Sequence, residues 1–237
     1  MDWKSLTNSA YAPYSGIREV CEVVGKSGKR YPGVRVENIS YPLTIHPDQS
    51  AVSQCLSRGD TPEALILPES ADIPSHRKTF WKESFNISVT TARSPEPDSW
   101  YNPFIAVDET HLPHLRKLLD QAVTPNSDFQ VSCLLRISDG RYIPGVNVEY
   151  PDWQTGLCAE RVAIATAFAF GVSVFDELYV HARKGEFVSP CGACRQVIAE
   201  HMPDHPVHMY HGDQTSSTLY SSHLLPYIFT STELNRS

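Results

Sequence analysis

Long apolar runs are the first thing this chain lacks. None approaches the roughly 18 residues that a membrane-spanning helix needs, and no charged-then-apolar leader opens the sequence, so neither a span nor a secretory signal is expected. Basic residues are short as well: 20 Lys and Arg stand against 27 Asp and Glu, for a formal net charge of −7. Proteins that take a nucleic-acid strand usually carry a basic groove with interleaved aromatics. No segment has that composition, which disfavours a nucleic-acid partner. Cysteine is sparse for a disulfide scaffold. There are six in 237 residues, three of them in a spacing that suits a metal, which fits a reducing, cytoplasmic setting. What remains, 41% hydrophobic and 20% charged, suits a soluble globular chain with room for one large or two small domains.

The chemistry-bearing residues fall in two stretches, Cys158-Ala159-Glu160-Arg161 and Ser189-Pro190-Cys191-Gly192-Ala193-Cys194-Arg195. Cys191 and Cys194 are three apart, so a helix puts them on one face. Pro190 suits a helix start. A helix N-terminus carries partial positive charge, which favours thiolate. Cys158 opens a second apolar run, Val162 to Phe170, which Gly171 ends like a C-cap. Two helix N-termini can therefore converge on one metal with three thiolates, the fourth position open and Glu160 free of ligand duty. That is the inventory of a catalytic zinc site rather than a closed structural one. Three thiolates on Zn²⁺ leave a net charge of −1. Arg161 and Arg195 directly follow the ligand segments and are placed to offset it by hydrogen bonding to sulfur. Two plainer readings compete. A Cys-x-x-Cys alone can be a redox pair, although that needs no Cys-Ala-Glu upstream. A structural zinc would need a fourth ligand, for which His201, His205, His208 and His211 are available; those four read more simply as surface histidines near a strand. Cys21 and Cys133 sit in apolar strand-like runs and read as core.

A Cys or His two residues before Glu, with Pro-Cys-x-x-Cys further on, is the signature of zinc deaminases. Cys-Ala-Glu-Arg and Pro-Cys-Gly-Ala-Cys-Arg-Gln resemble the cytidine deaminase family, its free-nucleoside branch. Gly145-Val146-Asn147-Val148-Glu149 resembles the family's nucleoside-binding strand, Phe129 stands where the family has an aromatic, and Leu224-Leu225-Pro226-Tyr227-Ile228-Phe229 resembles its tail. The resemblance runs from about residue 111 to about residue 229. It implies hydrolytic deamination of cytidine and 2′-deoxycytidine in pyrimidine salvage, with Zn²⁺ on Cys158, Cys191 and Cys194 and Glu160 moving protons between water and the base. It further implies that Asn147 and Glu149 hold ribose hydroxyls and that the Ala159 backbone meets the base. Phe129 would pack on the nucleoside, or serve as a core aromatic. One departure stands out: the family follows its Asn-x-Glu strand with Asn-Ala-Ser-Tyr, where this chain has Tyr150-Pro151-Asp152-Trp153. A modified nucleoside or another aminopyrimidine therefore stays open as substrate. So, further off, do single-stranded nucleic acid and a non-enzymatic zinc-stabilised binding module.

The first half repeats the second. Residue 13 aligns with residue 125 and residue 52 with residue 164, a constant offset of 112 without a gap. Pro13, Ser15, Cys21, Gly28, Pro32, Gly33, Val34, Val36, Glu37 and Ala51 each meet the same residue in the second copy. Self-similarity at this length signals a duplicated folding unit. The chemistry is absent from the first copy: His46 replaces Cys158 and Asp48 replaces Glu160, while Ser75 and Lys78 stand where Cys191 and Cys194 would, Lys78 bringing a positive charge to the vacated place.

The expected fold is α/β, a duplicated deaminase-like α-β-α layered sheet in two domains. Residues 1–93 form a non-catalytic copy, 94–103 a linker containing Ser94-Pro95-Glu96-Pro97-Asp98, and 104–237 the catalytic domain. Each half reads as a helix (Trp3 to Ala10; Leu112 to Val123), two strands around a turn (Ile17–Gly25 with Arg30–Glu37; Phe129–Ile137 with Tyr142–Glu149), a helix, a short strand (Ala64–Leu67; Glu177–His181) and a second helix, with Pro206–Tyr210 a further strand in the second half. Because single-domain members of the resembled family form tetramers, a two-domain chain implies a homodimer. Tyr41, at the place of the family's loop tyrosine, is expected to reach an active site. Phe229 either reaches a neighbouring pocket or joins the core.

Overall fold

The computed structural model describes residues 2–96, 99–108 and 110–229; Pro97 and Asp98 of the expected linker lie outside them. Among the described residues two sheets follow one plan. In the first half β1 (Val20–Gly25), β2 (Arg30–Val34), β3 (Pro62–Pro68) and β4 (Ser88–Ala92) lie in the order β2-β1-β3-β4. In the second, β5 (Val131–Ile137), β6 (Tyr142–Val146), β7 (Phe175–Ala182), β8 (Pro206–Tyr210) and β9 (Ser216–Tyr220) lie in the order β6-β5-β7-β8-β9. Register repeats with order: Cys21 pairs with Gly33 as Cys133 pairs with Gly145. Both copies break register at the same place, between Val24 and Gly25 and between Arg136 and Ile137. The hairpins are antiparallel and the β3–β4 and β7–β8 pairs parallel. Strands β4 and β9 were not foreseen, because Ser88–Ala92 and Ser216–Tyr220 carry the polar, half-exposed residues of an edge and little apolar alternation.

The helices are α1 (Trp3–Ser9), α2 (Pro47–Ser57), α3 (Ser75–Phe85), α4 (His111–Leu118), α5 (Ala159–Ala169), α6 (Gly192–His201) and α7 (Ser221–Leu224). Alternation along β5 explains the layering. Leu134 packs with Leu115 and Leu118 of α4 on one face, while Cys133 and Leu135 join the core shared with α5 on the other. Why Pro-Gly-Val recurs in both copies is also plain. A Cβ at Gly33 would lie 2.0 Å from the Pro47 carbonyl oxygen, and one at Gly145 would lie 2.2 Å from that of Ala159. Only glycine lets α2 and α5 start this close to the hairpin.

The halves share one core. Leu6, Val23, Leu65 and Trp81 belong to the same buried cluster as Ala163, Phe168, Val197 and Met209. Tyr150 is fully buried against Phe80, Trp81 and Phe85 of the first half, and its hydroxyl meets Ser53 Oγ at 2.6 Å. Glu200 on α6 accepts from the hydroxyls of Tyr11 and Tyr14 and from the Ile39 amide. The connecting chain runs along both edge strands, bridging Arg30 at Trp100 and Tyr142 at Ile105. Among the described residues no helix is long and apolar enough to cross a membrane.

Candidate metal centre and its pocket

Cys158 is the N-cap of α5 and Cys191 the N-cap of α6, so both thiols stand where free backbone N–H groups and the helix dipole favour negative charge. One turn into α6, Cys194 joins them, and the three sulfurs lie within 4.8 Å of one another. Cys158 Sγ and Cys191 Sγ are 3.6 Å apart. Among the described residues no other three His, Cys, Asp or Glu side chains converge in this way. Hydrogen bonds from Cys158 and Cys194 pull the Cys191 thiol down, and donating to their neighbours pushes the Cys158 and Cys194 thiols up. Glu160, one residue into α5, is 3% exposed, and burial pushes its carboxyl up to about 7.

Cys158, Cys191 and Glu160 line a cavity of about 640 Å³, inside the range usual for small-molecule sites. Asn147 and Glu149 lie on its wall and are already fixed. Asn147 Oδ1 accepts from the Val131 amide at 2.8 Å and its Nδ2 donates to the Phe129 carbonyl at 2.9 Å. Glu149 accepts from the Asn126 and Ser127 amides, at 2.9 and 3.1 Å, and from the Ser127 hydroxyl. The first half makes the same set: Glu37 accepts from the Tyr14 and Ser15 amides and the Ser15 hydroxyl. Those three bonds thus belong to the fold in both copies, and Glu149 has acceptor capacity to spare. Phe129 is 42% exposed on the cavity, so it is no core aromatic.

Other expected residues play different parts, and Arg161 still lines the cavity. Arg161 is buried and donates to the Leu43 carbonyl at 3.1 Å; Arg195 donates to the Pro190 carbonyl at 2.9 Å and Ser189 Oγ at 2.8 Å. Their hydrogen bonds tie down the backbone around the site rather than reaching sulfur. Tyr41 is 83% exposed and off the cavity, while its neighbours Pro42 and Leu43 line it. Phe229, 53% exposed, is neither core nor wall, and Ala159 is fully buried beneath the site. Phe187 and Trp153 line the cavity at 69% and 66% exposure. Phe187 was missed in the sequence, though it directly precedes Val188 and the Ser-Pro-Cys stretch.

At the corresponding place in the first half, α3 opens after Pro74 as α6 opens after Cys191. Pro74 and Arg77 therefore stand for Cys191 and Cys194, one residue earlier than the sequence alignment put them. The cation in the vacated place is Arg77: it pairs with Asp48, which also accepts from Trp81 Nε1 at 2.6 Å. Lys78 instead pairs with exposed Asp72. Of the four histidines expected at the surface, His211 is 6% exposed and His201 packs on Tyr11 and Phe168.

The family model for the cytidine and deoxycytidylate deaminase zinc-binding region matches residues 106–209. Cytidine deaminase of Sporosarcina psychrophila is 39% identical over 123 residues, covering 51% of this chain and 89% of that protein. Cytidine deaminase of Halalkalibacterium halodurans is 37% identical over 115 residues, covering 48% and 87%. The crystal structure of cytidine deaminase from Burkholderia pseudomallei is 31% identical and aligns over 49% of this chain and 94% of its own, with a TM-score of 0.46. With 89% of the Sporosarcina protein matched at 39% identity, and the family model and the thiol cluster both in the second half, this chain belongs to the cytidine deaminase family.

Proposed function

We propose that the protein deaminates cytidine and 2′-deoxycytidine hydrolytically to the uridine counterparts, with residues 104–237 carrying the chemistry and residues 1–93 forming a copy that has lost it. The observation behind this reading is a buried carboxylate, Glu160, on the wall of the same cavity as two of three clustered thiols. The donor set suits zinc: bonds of about 2.3 Å in a tetrahedron put sulfurs about 3.8 Å apart, close to the 3.6 Å between Cys158 and Cys191. A zinc ion held by Cys158, Cys191 and Cys194 would supply a Lewis acid that lowers the pKa of a water molecule toward neutrality.

The remaining work falls to the chain. Glu160 takes a proton from water and delivers it to N3 of the base as the water oxygen bonds to C4; it then moves the proton of that C4 hydroxyl to the amino group, C4=O forms as the C4–N bond breaks, and uridine and ammonia are the products. Asn147 and Glu149, held rigid by their own hydrogen bonds, take the ribose hydroxyls without first being ordered. Phe129 and Phe187 cover the apolar faces of the nucleoside. Arg161, tied to Leu43, and Arg195, tied to Ser189, hold the two helix starts in place. Ammonia release from a panel of nucleosides and bases tests the reading. Turnover of cytidine and 2′-deoxycytidine is expected; turnover of another aminopyrimidine with none of these two would overturn it.

We also propose a homodimer. Tyr41, Trp153 and Phe229 are large and exposed, the kind of surface a second copy covers. Light scattering at assay concentration is expected to give twice the chain mass, and a fully active monomer would contradict it.

A further inference from the structure

The loop between β7 and α6 builds one wall of the cavity through Phe187, Val188 and Ser189. Phe187 is largely exposed, and the turn between β8 and β9 supports it from below. His211 lies there, 6% exposed, its ring centroid 4.7 Å from that of Phe187 with 21° between the planes. Its Nδ1 accepts the Val188 amide at 3.1 Å, and its Nε2 stands 2.8 Å from Ser217 Oγ. A backbone amide only donates, so Nδ1 must carry the lone pair, and the ring proton sits on Nε2, directed at Ser217. An imidazolium has no acceptor and could not make the Val188 bond. Turn and loop also meet backbone to backbone: a Cβ at Gly212 would come within 2.4 Å of the Gly185 carbonyl oxygen. Each of the other histidines in this stretch is engaged elsewhere. His205 faces the Asp176 carbonyl, and His208 stacks on Tyr179 and meets Glu177.

We propose that His211 is a positioning residue for substrate. As a neutral imidazole protonated at Nε2, it fixes the Phe187–Ser189 wall and so sets the cavity width beside Cys191. One face of Phe187 rests on His211; the other is left to pack against a planar base or its sugar. The proposal rests on the nucleoside-binding reading above, and it assigns His211 to binding, not to chemistry.

Two substitutions separate the roles of the ring. His211→Phe keeps a ring to stack on Phe187 but offers no acceptor to Val188. His211→Asn keeps an acceptor on a short side chain and loses most of the stack. Both are compared with the unaltered protein by melting temperature, zinc content, hydrogen exchange at the Val188 amide, and kcat and KM for cytidine. In His211→Phe, Val188 exchange is expected to quicken by tenfold or more once its bond is gone, and KM to rise about tenfold with kcat within about threefold. His211→Asn is expected to keep both exchange and KM within about threefold of the unaltered protein. Unchanged exchange and KM in His211→Phe would overturn the proposal. So would an equal defect in His211→Asn, or a loss confined to kcat. Should His211→Phe fail to fold, His211→Asn decides: a protected amide with normal KM supports the proposal, and a lost one overturns it. Should the unaltered protein release no ammonia from cytidine, the functional reading falls on its own, and Val188 exchange across the three proteins still decides whether His211 holds the wall.

Discussion

Helices α2 and α5 begin alike and end up in different chemistry. Each starts from a metal-binding residue type as N-cap, His46 or Cys158, and each buries a carboxylate in its first turn, Asp48 or Glu160. A buried carboxylate needs a compensating partner. In the second half the partners are three thiols that can gather a cation. In the first, Arg77 supplies the cation from within the chain and Trp81 a further donor. On the proposed reading, the difference teaches how a metal site can be retired without losing its fold: a guanidinium stands in for the ion, and the carboxylate serves as a structural anchor. Arg35 occupies the position of Asn147 and pairs with Glu19 and Glu37. The first half also touches the second, gripping α6 at Glu200 and Arg161 at the Leu43 carbonyl.

Substitution of the two carboxylates should break the comparison most sharply. Glu160→Gln is nearly isosteric but cannot carry a proton, so turnover is expected to fall by at least about 10²–10⁴-fold, with zinc content and melting temperature kept. Asp48→Asn should do the reverse. The sequence leads one to expect a nearly neutral effect on turnover, and the structure adds a cost in stability, because Asp48 is fully buried and balances Arg77. Removing one member of a buried pair costs about 3 kcal/mol or more in unfolding free energy, while turnover per folded chain stays within about threefold. Denaturant unfolding beside steady-state kinetics reads both. A loss of turnover in Asp48→Asn like that of Glu160→Gln would show the first half performing chemistry.

The seam between the halves offers a smaller effect. Tyr150→Phe removes the hydroxyl that meets Ser53 Oγ and should cost about 1 kcal/mol in urea unfolding, as a single transition if the two halves unfold together. The smallest effect concerns pH. His46, which replaces Cys158, has its pKa pulled down to about 4 by burial and then by Arg77. The folded state excludes a proton that the unfolded chain binds near its ordinary pKa of about 6.5, so this contribution to stability is full above that pH and is lost as pH falls toward 4. Asn is an equally good N-cap and does not titrate. His46→Asn should therefore give a shallower fall in stability between those limits, and an unchanged slope would show that His46 is not held neutral.

Much of this comparison was legible in the sequence because identical residues at a constant offset mark identical backbone demands. Gly33 and Gly145 recur where a helix crosses a strand, and Glu37 and Glu149 recur because each pins the loop before the first strand. The thiol cluster was legible because Cys-Ala-Glu and Pro-Cys-x-x-Cys are set by local helix-start geometry. Long-range features were not. Arg77 could be told from Lys78 only once α3 showed where it starts, since a segment of different length separates it from the strand before. Pro42 and Leu43 reach the cavity from a distant part of the chain, and His211 reaches Phe187 through the parallel β7–β8 pairing, a long-range contact that no local pattern signals.

Metal content per chain tests the central claim most directly. Zinc-loaded protein is expected to carry one zinc per chain, and Cys191→Ala combined with Cys194→Ala to carry none while Arg77 and Asp48 are left intact. Two zinc ions per chain, or one that survives the double substitution, would contradict the account of one working site beside one retired copy.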